Sequence, residues 1–425
     1  MSAAQDIFFR AYTEPAPKVA SVAERILLIV LYVTMLTSSI AFVEPSPHDY
    51  LMGLVAAACL AAGVRFERPI ALLFLLLLIW NVAGLMALLN VPGREQTVQF
   101  TATSIYLFLA AIIFACLLSQ NTMSRLAALR SAYIASAVFT ALAGIAGYFH
   151  MFPGAFDLFT QNERAMGTFK DPNVYAPYLI WPALIIMARM VLNRVRLRDL
   201  VLLAILLIGL LLSFSRGAWV VFSIAAVISF GIFIVTAPTG RQRFRIVTYC
   251  AVGFIALALL IVGLLSLDSV KEMFDIRAHA IQFYDVGQGG RFRLQELAVA
   301  ALLKFPNGMG PFQFGHVYGQ QQHNVYLQGF LVYGWVGGIA YILAVLATIA
   351  VAWRSVFVRT PWQSYLVTAF AAFSGNALEG AVVDTDHWRH FFLLMGVVWG
   401  LYIATGKYHR NASAQFSSCP AEQPI

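Results

Sequence analysis

One histidine and two arginines carry the chemistry this sequence offers. His323, followed by Asn324, closes the only long polar interval between hydrophobic segments, at the point where apolar sequence resumes. An imidazole titrates near neutral pH and is the usual proton acceptor of enzyme sites, whereas an amide such as Asn324 accepts no proton there. A lone histidine at a helix start is also often only a hydrogen-bonding residue, and both readings stand at this point. Arg291 lies near the opening of the same interval, after Gly289 and Gly290, and Arg216 sits in a tight polar break, Ser213-Phe-Ser-Arg-Gly217. A guanidinium binds phosphate oxygens through two parallel charge-assisted hydrogen bonds, a geometry that a lysine ammonium lacks. An arginine at a membrane boundary can equally snorkel, its stem in apolar surroundings and its head in water. Beside Arg216, however, Ser215 and Gly217 are small enough for a bulky group to reach the backbone. Two nearby arginines would disfavour the charged form of His323 and keep it available as a base.

Other polar residues stand in reserve. Arg164 and Lys170, in the segment Arg164-Ala-Met-Gly-Thr-Phe-Lys-Asp-Pro-Asn173, could attract an anion, and Asn173, Arg293 and Asn324 are further candidates for substrate contact. In that segment Asp171 suits a helix N-cap and Pro172 the first helical position, a structural role for both. Asp384, Asp386 and His387 form an alternative acid-base or metal cluster, although helix capping and interface placement explain the same residue types. The four cysteines, Cys59, Cys116, Cys250 and Cys419, are widely scattered and suggest neither a zinc site nor a disulfide framework. No acidic cluster has obvious metal-ligand spacing, so no metal or other cofactor is expected.

The elements that must position these residues are membrane helices. Of 425 residues 60% are hydrophobic and 11% charged, with mean hydropathy +0.76, against roughly 25% charged in a soluble domain. Apolar runs fall at residues 25–43, 50–64, 69–90, 101–118, 129–149, 173–192, 197–214, 217–237, 246–267, 325–352, 362–383 and 388–405, which predicts about 12 transmembrane helices. The second and last are short for a span. The long polar lead before residue 25 favours an anchor over a cleavable signal. With the amino terminus inside, inner segments carry 18 of the 28 Lys and Arg, the positive-inside pattern. Both termini are then cytoplasmic, and the outer loops are 150–172 and 268–323, the latter between spans 9 and 10. The expected organisation is a cytoplasmic segment 1–24, a single transmembrane domain 25–405 and a cytoplasmic tail 406–425. The net charge of +8 is accounted for by this topology, so nucleic acid is not an expected partner. Within the larger outer loop, an amphipathic helix is expected over 294–303 and a turn at Pro306, Asn307 and Gly308. After that, Gly310, Pro311, Gly315 and Gly319 should prevent any regular element before His323.

In this order GTFKDPN, SFSRG, an arginine in the large outer loop, GMGPFQFG and HNVYLQGFLVYGWVGG resemble the O-antigen ligase and polymerase superfamily of bacterial membrane glycosyltransferases. The resemblance runs from Gly167 to about Gly400 and is strongest from Gly308 to Gly338. It implies an all-α, polytopic, GT-C-like protein of the bacterial inner membrane. The implied reaction is an inverting, metal-independent transfer of a glycan from undecaprenyl diphosphate to an acceptor sugar hydroxyl at the periplasmic face. Arg216 and Arg291 would hold the diphosphate, and His323 would activate the hydroxyl. The acceptor would be lipid A core for a ligase, or another lipid-linked repeat for a polymerase, with membrane lipid around both. From another class, a lipid-linked sugar transporter would share the helix count, but it should show related halves or charged, broken midplane segments, and neither is visible. A membrane scaffold would leave the one-sided set of Arg and His unexplained.

Overall fold

Without water, a backbone must satisfy its own N–H and C=O groups, and each of the twelve apolar runs accordingly forms a helix. The computed structural model describes residues 21–89, 91, 95–277 and 290–417. Arg10, Lys18, Arg94, Gly289 and Cys419, and the segment 1–24 up to residue 20, lie outside the described residues. In chain order the elements are α1 (Val22–Leu36), α2 (Pro47–Ala61), α3 (Ile70–Leu88), α4 (Glu95–Leu118), α5 (Thr122–Tyr148), α6 (Ala155–Phe159), β1 (Thr160–Gln161), β2 (Arg164–Ala165) and α7 (Pro172–Leu192). They continue as α8 (Leu197–Leu212), α9 (Arg216–Thr236), α10 (Gly240–Leu265), α11 (Asp268–Arg277), α12 (Arg291–Lys304), α13 (Gln313–Tyr318), α14 (Val325–Ser355), α15 (Gln363–Glu379) and α16 (Arg389–Ser417).

Eight of these, α3, α4, α5, α7, α9, α10, α14 and α16, are long and apolar enough to cross a membrane. The remaining apolar helices, α1, α2, α8 and α15, have 15, 15, 16 and 17 residues. At 1.5 Å per residue they reach roughly 22–26 Å, short of the ~30 Å hydrocarbon core. Two sequence expectations are corrected. The last apolar run is not short, because α16 continues through Lys407 to Ser417, where neither proline nor a second glycine interrupts it after Gly406. The stretch before His323 is not wholly irregular either. Gly315 takes part in α13, and only Gly319, in the left-handed region at φ 88°, ends it.

The core is aromatic and apolar. Trp80 of α3 packs against Tyr333 and Tyr341 of α14 and Phe392 of α16, with ring centroids 4.8, 5.4 and 5.9 Å apart. Besides α3 with α14, the closest pairings are α4 with α16 and α9 with α15. By contrast α10 lies at the rim, where Phe254, Ile255, Leu259 and Val262 are exposed, a surface suited to acyl chains rather than water.

Polar contacts sort the helix ends into two sets. At one end basic side chains meet acids and helix-terminal carbonyls: Arg125 pairs with Glu24 at 2.7 Å, Lys407 reaches Glu67 at 2.6 Å and the Ser119 carbonyl at 3.1 Å, and Arg359 donates to the Thr236 carbonyl at 3.1 Å. Arg245 donates to the Leu192 carbonyl there at 2.6 Å. Cations at helix C-termini oppose the partial negative charge of the last carbonyls. The opposite end holds the Arg389–Asp49 pair, with two bonds of 2.7 Å, and the contacts between the two longer loops described below.

A break in α14 seats the larger of those loops. Gly334 has φ 67° and ψ −176°, a conformation essentially confined to glycine. The turn at Pro306–Gly308 fits into this break: Trp335 N donates to the Pro306 carbonyl at 2.8 Å, and a Cβ on Gly334 would stand 2.7 Å from that same oxygen. The Trp335 indole also donates to the Leu302 carbonyl at 2.9 Å. Gly334→Ala is therefore expected to cost about 1–3 kcal/mol of backbone strain and to loosen α12 from α14. Faster proteolysis within residues 291–323, with membrane insertion unchanged, is the expected result; wild-type protection would disprove this seating.

Candidate active site

Local turn chemistry builds the arginine break. Ser213 and Ser215 are joined by a bond from the Ser215 N–H to Ser213 Oγ at 3.2 Å, and Phe214 between them adopts φ 46°, so the chain reverses in three residues before α9 starts at Arg216. The Ser215 hydroxyl turns away from the amides of α9 and donates to Asn173 Oδ1 at 3.1 Å. Arg164, buried in β2, donates to that same oxygen at 2.8 Å and to the Ser213 carbonyl at 2.8 Å. Asp171 caps α7 by accepting from Asn173 N at 2.7 Å, with Pro172 at the first helical position, the structural role expected of both. Arg164 and Asn173 thus lock the loop 150–172 onto the break. Arg216 is left half-buried in the first turn of α9, where helix N–H groups favour an anion.

The seated hairpin and the α15–α16 connection position His323. Asn324 caps α14 with Oδ1 accepting from Tyr326 N at 3.0 Å and Leu327 N at 3.1 Å, while its Nδ2 donates to the Ala381 carbonyl at 2.9 Å. Val325 N donates to the Gly380 carbonyl at 2.8 Å, so the α14 start and the α15 end are stitched together. His323 adopts φ 49°, a left-handed conformation uncommon for a residue with a side chain. Its exposed ring stands with Nδ1 3.3 Å from Asp384 Oδ2. Burial pushes the Asp384 carboxyl above the ordinary carboxylate range, and its hydrogen bond to His323 opposes that rise. A carboxylate on one ring nitrogen orients the imidazole and leaves Nε2 for a substrate.

Arg291 opens α12 and is half-buried. One turn on, Gln295 Nε2 donates to the Ala381 carbonyl at 3.3 Å and to the His323 carbonyl at 3.5 Å. Residues four apart share a helix face, so Arg291 lies on the face turned toward the His323 loop. Arg293 is exposed and pairs with Glu296, and Lys170 is exposed and pairs with Glu44 at 3.2 Å. Arg216, Arg291 and His323 therefore belong to one end of the bundle, with Arg164, Asn173 and Asn324 as its internal fastenings.

The acidic cluster near the end of the chain divides. Asp384 goes to His323, whereas Asp386 is buried, accepts from Gln328 Nε2 at 3.1 and 3.0 Å and stands 3.3 Å from His387 Nδ1. Burial alone would lower the His387 imidazole; the Asp386 carboxylate beside it outweighs that and raises it. Among the described residues no three His, Cys, Asp or Glu side chains come together as a metal-holding group. Two contributions were missed in sequence: Gln295, and Asp384 as the partner of His323. Asp384 had left a signal as a member of the alternative acid-base cluster, and the one acidic residue inside the apolar run 362–383, Glu379, is another such signal.

Residues 201–342, which hold Arg216, Arg291 and His323, match the family model described as O-antigen ligase. No curated protein matches the chain. In a polytopic, helical chain, this matching segment bears out the resemblance to the O-antigen ligase and polymerase superfamily.

Proposed function

We propose that the protein is an inverting, metal-independent glycosyltransferase that moves a glycan from undecaprenyl diphosphate to a sugar hydroxyl, with O-antigen ligase-type attachment to lipid A core. The observation that carries this is the convergence, at one end of the helix bundle, of an arginine at a helix N-terminus with a His–Asp pair. In the transfer the acceptor hydroxyl oxygen bonds to C1 of the donor sugar as the C1–oxygen bond to the diphosphate breaks, and its electron pair leaves with the diphosphate. The hydroxyl proton passes to His323 Nε2, and Asp384 faces the imidazolium that forms. Arg216, Arg291 and the first amides of α9 offset the charge growing on the leaving group, the work a metal does elsewhere. An apolar cavity of about 190 Å³ beside the break, lined by Leu210, Leu211, Phe214, Trp219, Leu264 and Phe274, suits a short portion of the lipid tail of such a donor.

The basic end of the bundle is cytoplasmic in this reading and the site end periplasmic. A cysteine replacing exposed Gln320 is then expected to react with an impermeant thiol reagent in intact cells, and one replacing exposed Arg243 to stay unlabelled. Labelling at Arg243 alone would invert the topology. Deleting the gene tests the acceptor. Intact polymer left unattached supports the ligase, single repeats only would make the protein a polymerase, and loss of lipid-linked glycan from the outer leaflet would make it a transporter.

A further inference from the structure

The α15 end carries a group that this mechanism does not use. Glu379 is 4% exposed, and neither carboxyl oxygen has a hydrogen-bond partner among the described residues. One helical turn earlier Asn376 is 1% exposed, with both amide atoms unpartnered in the same sense. Buried polar groups are nearly always hydrogen-bonded, so such a pair marks ground where a polar ligand is received. The position is informative. A Cβ on Gly217 would stand 2.5 Å from Glu379 Oε1, which puts the carboxyl against the first turn of α9, beside Arg216. The next two carbonyls, of Gly380 and Ala381, accept from Val325 N and Asn324 Nδ2, immediately after His323.

We propose that Glu379 binds the donor sugar, its carboxyl accepting hydrogen bonds from ring hydroxyls of the residue joined to the diphosphate. The assignment rests on the glycosyl-transfer reading of the site. In that reading the sugar is one bond from the phosphate held at Arg216, and its C1 faces the hydroxyl activated by His323, so it occupies the ground between them. The phosphates themselves are met by Arg216 and Arg291 in that reading, which leaves the sugar hydroxyls for Glu379. A neutral, hydroxyl-bearing ligand fits this place, with the Asn376 amide one turn away to supply both a donor and an acceptor.

The test uses the full chain in lipid nanodiscs and two probes: undecaprenyl diphosphate alone, and the lipid-linked glycan that accumulates when the gene is deleted. Glu379→Gln is expected to bind the bare lipid diphosphate within about twofold of wild type but the glycan-bearing lipid about tenfold more weakly, as for a lost hydrogen bond. KM for the donor should rise in parallel. Gly217→Ala, whose Cβ displaces the carboxyl, should reproduce this selective loss. Equal weakening toward both probes would overturn the proposal and make Glu379 a support for Arg216. Unchanged affinity for both, with higher thermal stability, would also overturn it, since the carboxyl would then be only a buried burden. Wild-type protein that binds neither probe would bring down the transfer reading itself, and the sugar site with it.

Discussion

His323→Ala is expected to lower glycan transfer by roughly 10² to 10⁴-fold, the usual contribution of a positioned general base. Donor binding should persist, because the imidazole faces the acceptor hydroxyl rather than the diphosphate in the proposed reaction. No neighbour replaces it. Asn324 is fully engaged in capping α14 and holding the Ala381 carbonyl, and the nearby glutamines accept no proton near neutral pH. Asp384→Asn should cause a smaller loss, since the imidazole remains but the charge facing its protonated form is gone. Single-turnover transfer measured beside donor binding separates these roles. Wild-type turnover in His323→Ala would refute the base assignment, and lost binding with residual chemistry would recast His323 as a phosphate ligand.

The second large effect concerns the guanidinium groups. Arg216→Lys and Arg291→Lys keep the positive charge but lose the planar pair of parallel donors, and each is expected to reduce turnover on the order of 10²-fold, as for a lost transition-state hydrogen bond. Membrane insertion should be normal. Arg216 opens α9 and Arg291 opens α12, positions where a lysine is equally compatible with the helix. Normal activity in both variants would show that neither holds the leaving group. Lys170 and Arg293 would then be the next arginine or lysine to vary, since Arg164 is already committed to the Ser213 carbonyl and Asn173.

Sequence by itself determined whatever depends on neighbours along the chain. Twelve apolar runs had to become helices, because a backbone out of water bonds to itself, and Asp171 with Pro172 had to start α7, because capping joins residues two or three apart. The break at Arg216 and the polar end at His323 were legible for the same reason. What each polar side chain does was decided only by tertiary packing. Arg164 and Asn173, equal on paper to other anion-binding candidates, became fastenings because α7 lies against α8 and α9, bringing the Ser213–Ser215 turn to them. His323 acquired Asp384, and Gly217 acquired Glu379, only when α15 packed on α9 and its end was stitched to the start of α14. The seating of α12 in the Gly334 break belongs with these. Helix formation is a short-range requirement with one solution, whereas an apolar helix in lipid can turn any face to a neighbour, and the close fit of small and large side chains between helices selects which.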